Sequence, residues 1–241
     1  MTDPSKTAVV FGARRLGRGI ARHLAGLDWS VTAASRSPET IASLADELPG
    51  VAGVVADLRD DGAAGGVLAG AQERHGPVSL IVNAIADAAV SGAALANERS
   101  EEARLRSQLG TAIHPVHNVI RASLEVLQAR RGGTLIQITG GLALRARRGT
   151  AELAATAYAT RALIEGSIAE ARDSGVHVAL LVIRGLVESD LTHAMLAGKP
   201  PGASMQDADV IAAIDFLLAQ THARAWTHEL TLTPPQAAWL D

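Results

Sequence analysis

A basic turn bounded by two glycines, near the start of the chain, has the residue types that hold a phosphate group. Its residues are Gly12, Ala13, Arg14, Arg15, Leu16 and Gly17. An apolar run, residues 8–11, precedes the turn, and Ile20 and Leu24 follow it at helical spacing. A strand, a glycine turn and a helix in this order bring backbone N–H groups and a helix N-terminus to a pyrophosphate. The turn therefore favours a dinucleotide site over a bare strand–turn–helix unit, although Arg14 replaces the middle glycine of G-x-G-x-x-G.

The end of the second predicted strand carries residues that would choose between two forms of that cofactor. Ser35, Arg36 and Ser37 follow the apolar segment 29–34, about twenty residues beyond the glycine turn. An acidic side chain at this place accepts from the 2′-hydroxyl of NAD, whereas an arginine binds the 2′-phosphate of NADP. Arg36 therefore predicts an NADP(H) site, with Arg14 or Arg15 reaching the same phosphate from the turn. The alternative is that these arginines are ordinary solvated surface.

A carboxylate follows the third predicted strand. Asp57 comes directly after the apolar segment 51–56. Its side chain, or the backbone beside it, could contact the amino group of an adenine ring, which would add Asp57 to the cofactor site. The alternative is that Asp57 caps the helix that follows.

The elements that must position these residues alternate between apolar strands and helices. Further strand-like segments lie at 77–84, 134–139, 176–183 and 227–233, with helical segments between them. This alternation predicts a doubly wound parallel α/β sheet of the Rossmann type, covered by helices on both faces. We expect a single domain over residues 1–241. Within it, the polar, glycine- and proline-bearing residues 186–206 are expected to form a substrate lid.

Composition and charge exclude several other classes of function. The formal net charge is −3, so we expect no nucleic-acid-binding surface, which would need a basic excess. The chain has no cysteine, which excludes disulfides and thiol nucleophiles, and its eight histidines do not have metal-ligand spacing. No apolar run is long enough to cross a bilayer, and the first residues lack a secretory pattern. We therefore expect a cytoplasmic protein with no membrane partner, no metal and a small-molecule substrate.

Over nearly its whole length the chain resembles the short-chain dehydrogenase/reductase family. The glycine turn is similar to a one-residue-shorter form of the family's T-G-x-x-x-G-x-G turn, in the arginine-bearing version of NADP-using members. Ser35 and Arg36 resemble the NADP-type end of the second strand. Asp57 stands where the family's adenine-contacting aspartate stands. The resemblance therefore implies an NADP(H) cofactor in the same place as the residues do.

Two later segments extend the resemblance. Residues 82–86, Val-Asn-Ala-Ile-Ala, are similar to the family's N-N-A-G segment, which implies a place for Asn83 in the cofactor site. Residues 184–189, Arg-Gly-Leu-Val-Glu-Ser, are similar to its P-G-x-x-x-T segment. The resemblance implies that Ser189 contacts the nicotinamide amide.

The catalytic residues are where the chain departs from the family. Members reduce a carbonyl with a Ser that holds the oxygen, a Tyr that donates the proton and a Lys one helical turn further. The resemblance puts Gly140 at the Ser position, with Thr139 as the neighbouring hydroxyl, and Arg161 at the Lys position. It puts Ala157 at the Tyr position. Tyr158, the sole tyrosine, lies one residue further, which turns a helical side chain by about 100°.

Two hypotheses follow from these departures. In the first, the protein is an atypical NADP(H)-dependent reductase of a small carbonyl or enone with a rearranged proton donor. Tyr158 would be the acid and Arg161 the cation that lowers its pKa, or His114 or His117 would serve instead. In the second, the fold has lost redox chemistry, and the cleft serves a cyclase, dehydratase or isomerase reaction, or binding alone.

Two expectations concern ligands and partners. A basic cluster at positions 145, 147, 148 and 184 suits an anionic or polyoxygenated substrate, and a solvated loop explains it as well. The resemblance implies a homodimer or homotetramer, assembled through the helices expected over residues 98–129 and 151–173.

Overall fold

Strands and helices alternate along the computed structural model, which describes residues 6–85, 102, 106, 109–220 and 225–236. The first half contains β1 (Thr7–Phe11), α1 (Leu16–Gly26), β2 (Ser30–Ser35), α2 (Pro38–Glu47), β3 (Val51–Val55), α3 (Ala63–His75) and β4 (Leu80–Asn83). The second half begins with a π-helical turn (Leu109–Ile113), α4 (His114–Arg130), β5 (Gly133–Gly140), a 3₁₀ turn (Gly141–Ala143) and α5 (Ala151–Ala171). It ends with β6 (Val176–Ile183), β7 (Leu186–Val187), α6 (Asp190–Leu196), β8 (Ser204–Met205), α7 (Asp207–Leu218) and β9 (Glu229–Leu232).

The long strands form one parallel sheet of seven strands in the order β3-β2-β1-β4-β5-β6-β9. This arrangement confirms the predicted doubly wound α/β fold. The strand order reverses between β1 and β4, and open parallel sheets bind their ligands beyond the carboxyl ends of the strands at such a point. The short strands β7 and β8 pair with each other in a separate ribbon.

Two hydrophobic cores cover the two faces of the sheet. Alternate residues of one strand enter opposite cores, so that Val10 packs on the side of α1 and α7 while Val9 and Phe11 pack on the side of α3 and α4. β6 is buried along its whole length, as a central strand covered on both faces must be. Among the described helices, none is both long enough and apolar enough to span a membrane.

Several elements differ in their bounds or content from the sequence pattern. The last strand is shorter than residues 227–233. α4 begins at His114, with Pro115 in its first turn, where a missing N–H costs no helical bond. Most of the helix expected over residues 98–113 lies outside the described residues. Residues 186–206, expected to form a substrate lid, contain β7, α6 and β8.

Candidate active site

The glycine turn joins β1 to α1 at the point where the strand order reverses. Gly12 has a φ of +91°, and a Cβ atom on it would lie 2.7 Å from the carbonyl oxygen of Ala84. A Cβ atom on Gly17 would lie 2.1 Å from the carbonyl oxygen of Gly12. Both positions therefore require glycine, because the turn is closed against the end of β4 on one side and against α1 on the other.

The N-terminus of α1 is open to an anion. Arg15 is its N-cap residue, and neither a capping side chain nor an acidic residue occupies the first turn among the described residues. Arg14 and Arg15 are both exposed. Partial burial and, to a smaller extent, the charge of Arg14 lower the pKa of Arg15. The charge of Asp190, the first residue of α6, opposes this shift. Uncapped N–H groups and two guanidinium groups concentrate positive potential at the site predicted for a pyrophosphate.

Arg36 and Asp57 lie at the ends of neighbouring strands, β2 and β3. Arg59 binds the Asp57 carboxylate: its Nε donates to Oδ1 at 2.9 Å, and its Nη2 makes a short bond to Oδ2. These hydrogen bonds, with a smaller contribution from the charge of Arg36, lower the pKa of Asp57 to about 2. The Asp57 carboxylate is therefore ionised and paired. Arg36 is exposed and has no hydrogen-bond partner within the part of the chain that the structure describes.

Asn83 is fully buried at the end of β4, and its side chain is directed to β5. Its Nδ2 donates to Oε1 of Gln137 at 2.7 Å, and its Oδ1 accepts from the backbone N–H of Ile85 at 3.3 Å. The amide pair thus fixes the segment that carries Ala84 against Gly12. Gln137 was not predicted as a functional residue, although a large polar residue inside an otherwise apolar strand indicates that it has a buried partner.

Ser189 caps helix α6 in a reciprocal arrangement with Thr192. The Ser189 Oγ accepts from the backbone N–H of Thr192 at 3.4 Å, and the Thr192 Oγ1 accepts from the backbone N–H of Ser189 at 2.9 Å. The Thr192 hydroxyl also donates to the carbonyl oxygen of Val187 at 2.7 Å. A cavity of about 350 Å³ lies between α6 and residues 199–204. The capped helix α6 is therefore an ordered element beside an open cavity.

Two hydroxyl groups lie near the end of β5 and the loop that follows it. Thr139 is buried, and its Oγ1 has no hydrogen-bond partner among the described residues. Tyr158 on α5 is 44% exposed, and its hydroxyl donates to the carbonyl oxygen of Leu144 at 2.8 Å. Ala157, at the position implied for the family tyrosine, is buried in the packed side of α5. The tyrosine hydroxyl thus reaches the loop after β5, but from the exposed side of the helix.

Arg161 forms ion pairs with two carboxylates, one on α5 and one on β9. Its Nε donates to Oε1 of Glu165 at 2.9 Å, and its Nη2 lies 2.7 Å from Oε2 of Glu229. Glu229 begins the edge strand β9, where it pairs with Leu180 in the middle of β6. Arg161 therefore ties α5 to the edge strand, whereas the hydroxyl of Tyr158 is bonded to a different segment.

The sheet order and the glycine turn define the dinucleotide-binding class of α/β proteins. The chain belongs to the short-chain dehydrogenase family, whose model matches residues 6–199. It is 33% identical over 186 residues to Oxidoreductase UcpA of Escherichia coli strain K12, a match that covers 72% of this chain and 66% of UcpA. The matched region thus spans slightly less than two thirds of that relative.

Solved structures resemble the chain in fold. The actinorhodin polyketide ketoreductase, solved as a variant with NADPH, has a TM-score of 0.83 at 20% identity, covering 97% of this chain and 98% of that one. A gluconate 5-dehydrogenase from Burkholderia cenocepacia, solved with NADP and tartrate, has a TM-score of 0.77 at 22% identity, covering 94% and 93%.

Proposed function

We propose that the chain is an NADP(H)-dependent oxidoreductase that acts on a small carbonyl or enone substrate, with a proton donor displaced from the family's usual position. The observation that carries the proposal is Arg36, exposed at the end of β2 and without a hydrogen-bond partner in the described part of the chain. The named relative is an oxidoreductase, and the two solved structures contain NADPH and NADP, which supports the same cofactor here.

The residues at the glycine turn fit a phosphorylated dinucleotide. Gly12 and Gly17 leave no Cβ atom between the turn and its neighbours, so that backbone N–H groups can approach a pyrophosphate. Arg36 would bind the 2′-phosphate, and the Asp57 carboxylate does not oppose it because Arg59 balances the charge of that carboxylate. When bound, NADPH supplies a hydride to the substrate carbonyl carbon.

Tyr158 is the group that we propose to supply the proton. Its hydroxyl is accessible to solvent, and its acceptor is the backbone carbonyl of Leu144, which a substrate oxygen can replace. The proton of the hydroxyl moves to the substrate oxygen that gains the electron pair of the carbonyl bond, and solvent then reprotonates the phenolate. Thr139 offers a second hydroxyl near the end of β5, without another partner among the described residues.

Calorimetric titration with NADPH and NADH tests the cofactor. We expect a micromolar dissociation constant for NADPH, on the order of 1 to 100 μM, and weaker binding of NADH. Arg36→Ala should weaken NADPH binding by about tenfold or more, because a charge-assisted phosphate contact is lost, and should leave NADH binding unchanged. Arg172→Ala, an exposed arginine at the end of α5, is the control. Equal losses for both cofactors would reject the role of Arg36, and no binding of either would reject the proposal.

One observation favours a second candidate, a non-redox or binding role on the same fold. The predicted proton donor and the cation predicted to lower its pKa both have other partners. The Tyr158 hydroxyl donates a hydrogen bond to Leu144, and Arg161 forms ion pairs with Glu165 and Glu229. This candidate predicts that NADPH binds but is not oxidised in the presence of any member of a panel of aldehydes, ketones and enones.

A further inference from the structure

The loop that joins β5 to α5 carries an unusual concentration of positive charge. Arg145, Arg147 and Arg148 stand within it, in a chain whose net charge is −3. All three are exposed, and their guanidinium groups make no ion pair with the residues that the structure describes. Arg59 and Arg161, in contrast, are paired with carboxylates. We refer to residues 144–150 as the arginine loop.

Hydrogen bonds hold the backbone of the arginine loop at both ends. At its start, the N–H of Leu144 donates to Gly141 at 3.0 Å, and the carbonyl oxygen of Leu144 accepts from the hydroxyl of Tyr158 at 2.8 Å. At its end, the Thr150 hydroxyl accepts from the N–H of Arg147 and donates to the carbonyl oxygen of the same residue, both at 2.9 Å. A backbone that is already ordered loses less conformational entropy when its side chains bind a ligand.

The arginine loop lies at the carboxyl end of the sheet, where ligands of this fold bind. A Cβ atom on Gly141 would lie 3.1 Å from the Cα of Arg184, so the residue that follows β6 packs against the base of the loop. Tyr158 is bonded to Leu144, and Arg145 is the next residue in the chain. An anionic group held by the arginine loop would therefore lie next to the proposed proton donor.

We propose that the arginine loop is an oxyanion-binding site and that it selects carbonyl substrates bearing a carboxylate or phosphate group. Guanidinium groups pair with both oxyanions through parallel N–H···O bonds. The assignment of this anion to the substrate rests on the proposed reductase function, whereas oxyanion binding by the loop does not. A neutral carbonyl compound of similar size gains nothing from the three arginines.

Side-chain NMR of the arginine Nε–Hε groups in the full chain tests oxyanion binding without turnover. The probes are inorganic phosphate, glutarate and, as the neutral control, glutaramide. We expect phosphate or glutarate to bind the wild type with a dissociation constant on the order of 1 mM. The triple variant Arg145→Gln, Arg147→Gln and Arg148→Gln should bind about tenfold more weakly or worse. The corresponding triple lysine variant should recover only part of the affinity, because lysine keeps the charge and loses the paired N–H donors. Calorimetry measures both variants, because they lack the Nε–Hε groups of the loop.

Two further variants separate this proposal from the cofactor proposal. The double variant Arg74→Gln and Arg172→Gln removes exposed charge at the C-terminal ends of α3 and α5, away from the arginine loop. It should bind the probes like the wild type. The triple variant Arg14→Gln, Arg15→Gln and Arg36→Gln removes only anion binding at the cofactor turn. If that variant abolishes all probe binding and the loop glutamine variant changes nothing, the arginine loop proposal is overturned while the cofactor site stands.

The reverse pattern has a different meaning. Loop-dependent probe binding in a protein that does not bind NADPH supports the oxyanion site and rejects the cofactor proposal alone. Binding of glutaramide as strongly as glutarate would overturn oxyanion selection. A preference for phosphate over glutarate identifies phosphate esters as the substrate class, and the opposite preference identifies carboxylic acids.

Discussion

The hydroxyl of Tyr158 donates a hydrogen bond to the backbone carbonyl of Leu144, and the Tyr158 side chain is exposed to solvent. A neutral hydrogen bond of this kind contributes about 1 kcal/mol, because water competes for both partners. A substrate oxygen can therefore take the place of the Leu144 carbonyl at little cost. The position one residue beyond the buried Ala157 directs the side chain to the exposed side of α5.

The first prediction concerns this hydroxyl. Tyr158→Phe should reduce the turnover of a carbonyl substrate by about a hundredfold to ten-thousandfold, since general acid catalysis contributes that much, while the dissociation constant of NADPH stays unchanged. Steady-state kinetics and calorimetry measure the two effects separately.

Thr160→Val is the matched control for this experiment. It also removes a hydroxyl from α5, but one that is buried and has no hydrogen-bond partner among the described residues. Turnover in this variant should equal that of the wild type. Unchanged turnover in Tyr158→Phe would exclude Tyr158 as the acid and would leave His114 and His117 as the candidate acids.

At the scale of secondary-structure elements, Arg161 joins the long helix α5 to the edge strand β9. β9 has four residues and, among the described strands, pairs only with β6, so side-chain contacts at its start help to keep it in register. The ion pair between Arg161 and Glu229 is bidentate: Nη1 of Arg161 lies 3.2 Å from Oε1 of Glu229, and Nη2 lies 2.7 Å from Oε2. This geometry gives Arg161 a structural role, which is an alternative to the catalytic role predicted from the sequence.

The second prediction separates these two roles of Arg161. Arg161→Gln and Glu229→Gln should each lower the free energy of unfolding by about 0.5 to 1 kcal/mol, and the double variant should lose less than the sum. Urea denaturation of the four proteins measures this double-mutant cycle. The turnover and the NADPH affinity of Arg161→Gln should equal those of Glu229→Gln. A large loss of turnover in Arg161→Gln alone would instead assign Arg161 to the chemistry.

The order of strands and helices could be predicted from the sequence, but the content of the lid could not. Apolar runs such as residues 176–183 have the length of strands and alternate with longer helical segments, which leaves little choice of topology. The seven-residue helix α6 is too short to be stable alone, and it depends on the capping contacts of Ser189 and Thr192. Glycine, proline and polar residues in the same segment led to the prediction of a substrate lid, and this pattern does not specify a helix.

At the scale of the whole molecule, the pairing of polar side chains depends on which strands become neighbours. Asn83 and Gln137 are 54 residues apart and meet because β4 and β5 pair in a register that aligns them. No local pattern specifies such a contact, and the same holds for Arg161 and Glu229. The glycine turn could be predicted because its geometry is local to one strand and one helix. Assembly into a homodimer or homotetramer through α4 and α5 stays a prediction.

The last prediction is a loss of stability at mildly acidic pH, caused by two histidines whose pKa is lowered by burial, nearly complete for His177 and partial for His75. His177 at the start of β6 stacks on Trp226 with 5.2 Å between ring centroids, and its Nε2 donates to Thr227 at 2.9 Å. Burial, with a smaller contribution from His228, lowers the pKa of His177. Burial, with a contribution from Arg74, also lowers the pKa of His75.

The sign follows from which state binds the proton first. In the unfolded chain both histidines titrate near their ordinary pKa of about 6.5, whereas the folded protein keeps them neutral to lower pH. The unfolded state therefore binds more protons as the pH falls below about 6.5, and the free energy of unfolding decreases. The decrease is at most about 1.4 kcal/mol per pH unit for each histidine, and it ends once the folded histidines are protonated as well. Asp57, with a pKa of about 2, contributes only at much lower pH.

Urea denaturation between about pH 7.5 and about pH 5.5 measures this dependence. His177→Gln keeps a donor for the Thr227 carbonyl and removes the titrating ring, so its stability should change less with pH than that of the wild type. His75→Gln should reduce the remaining dependence further. Asp207 acts in the opposite direction, because burial raises its pKa and the folded state gains stability as this carboxyl is protonated. An unaltered pH dependence in the double variant would mean that neither histidine is responsible for it.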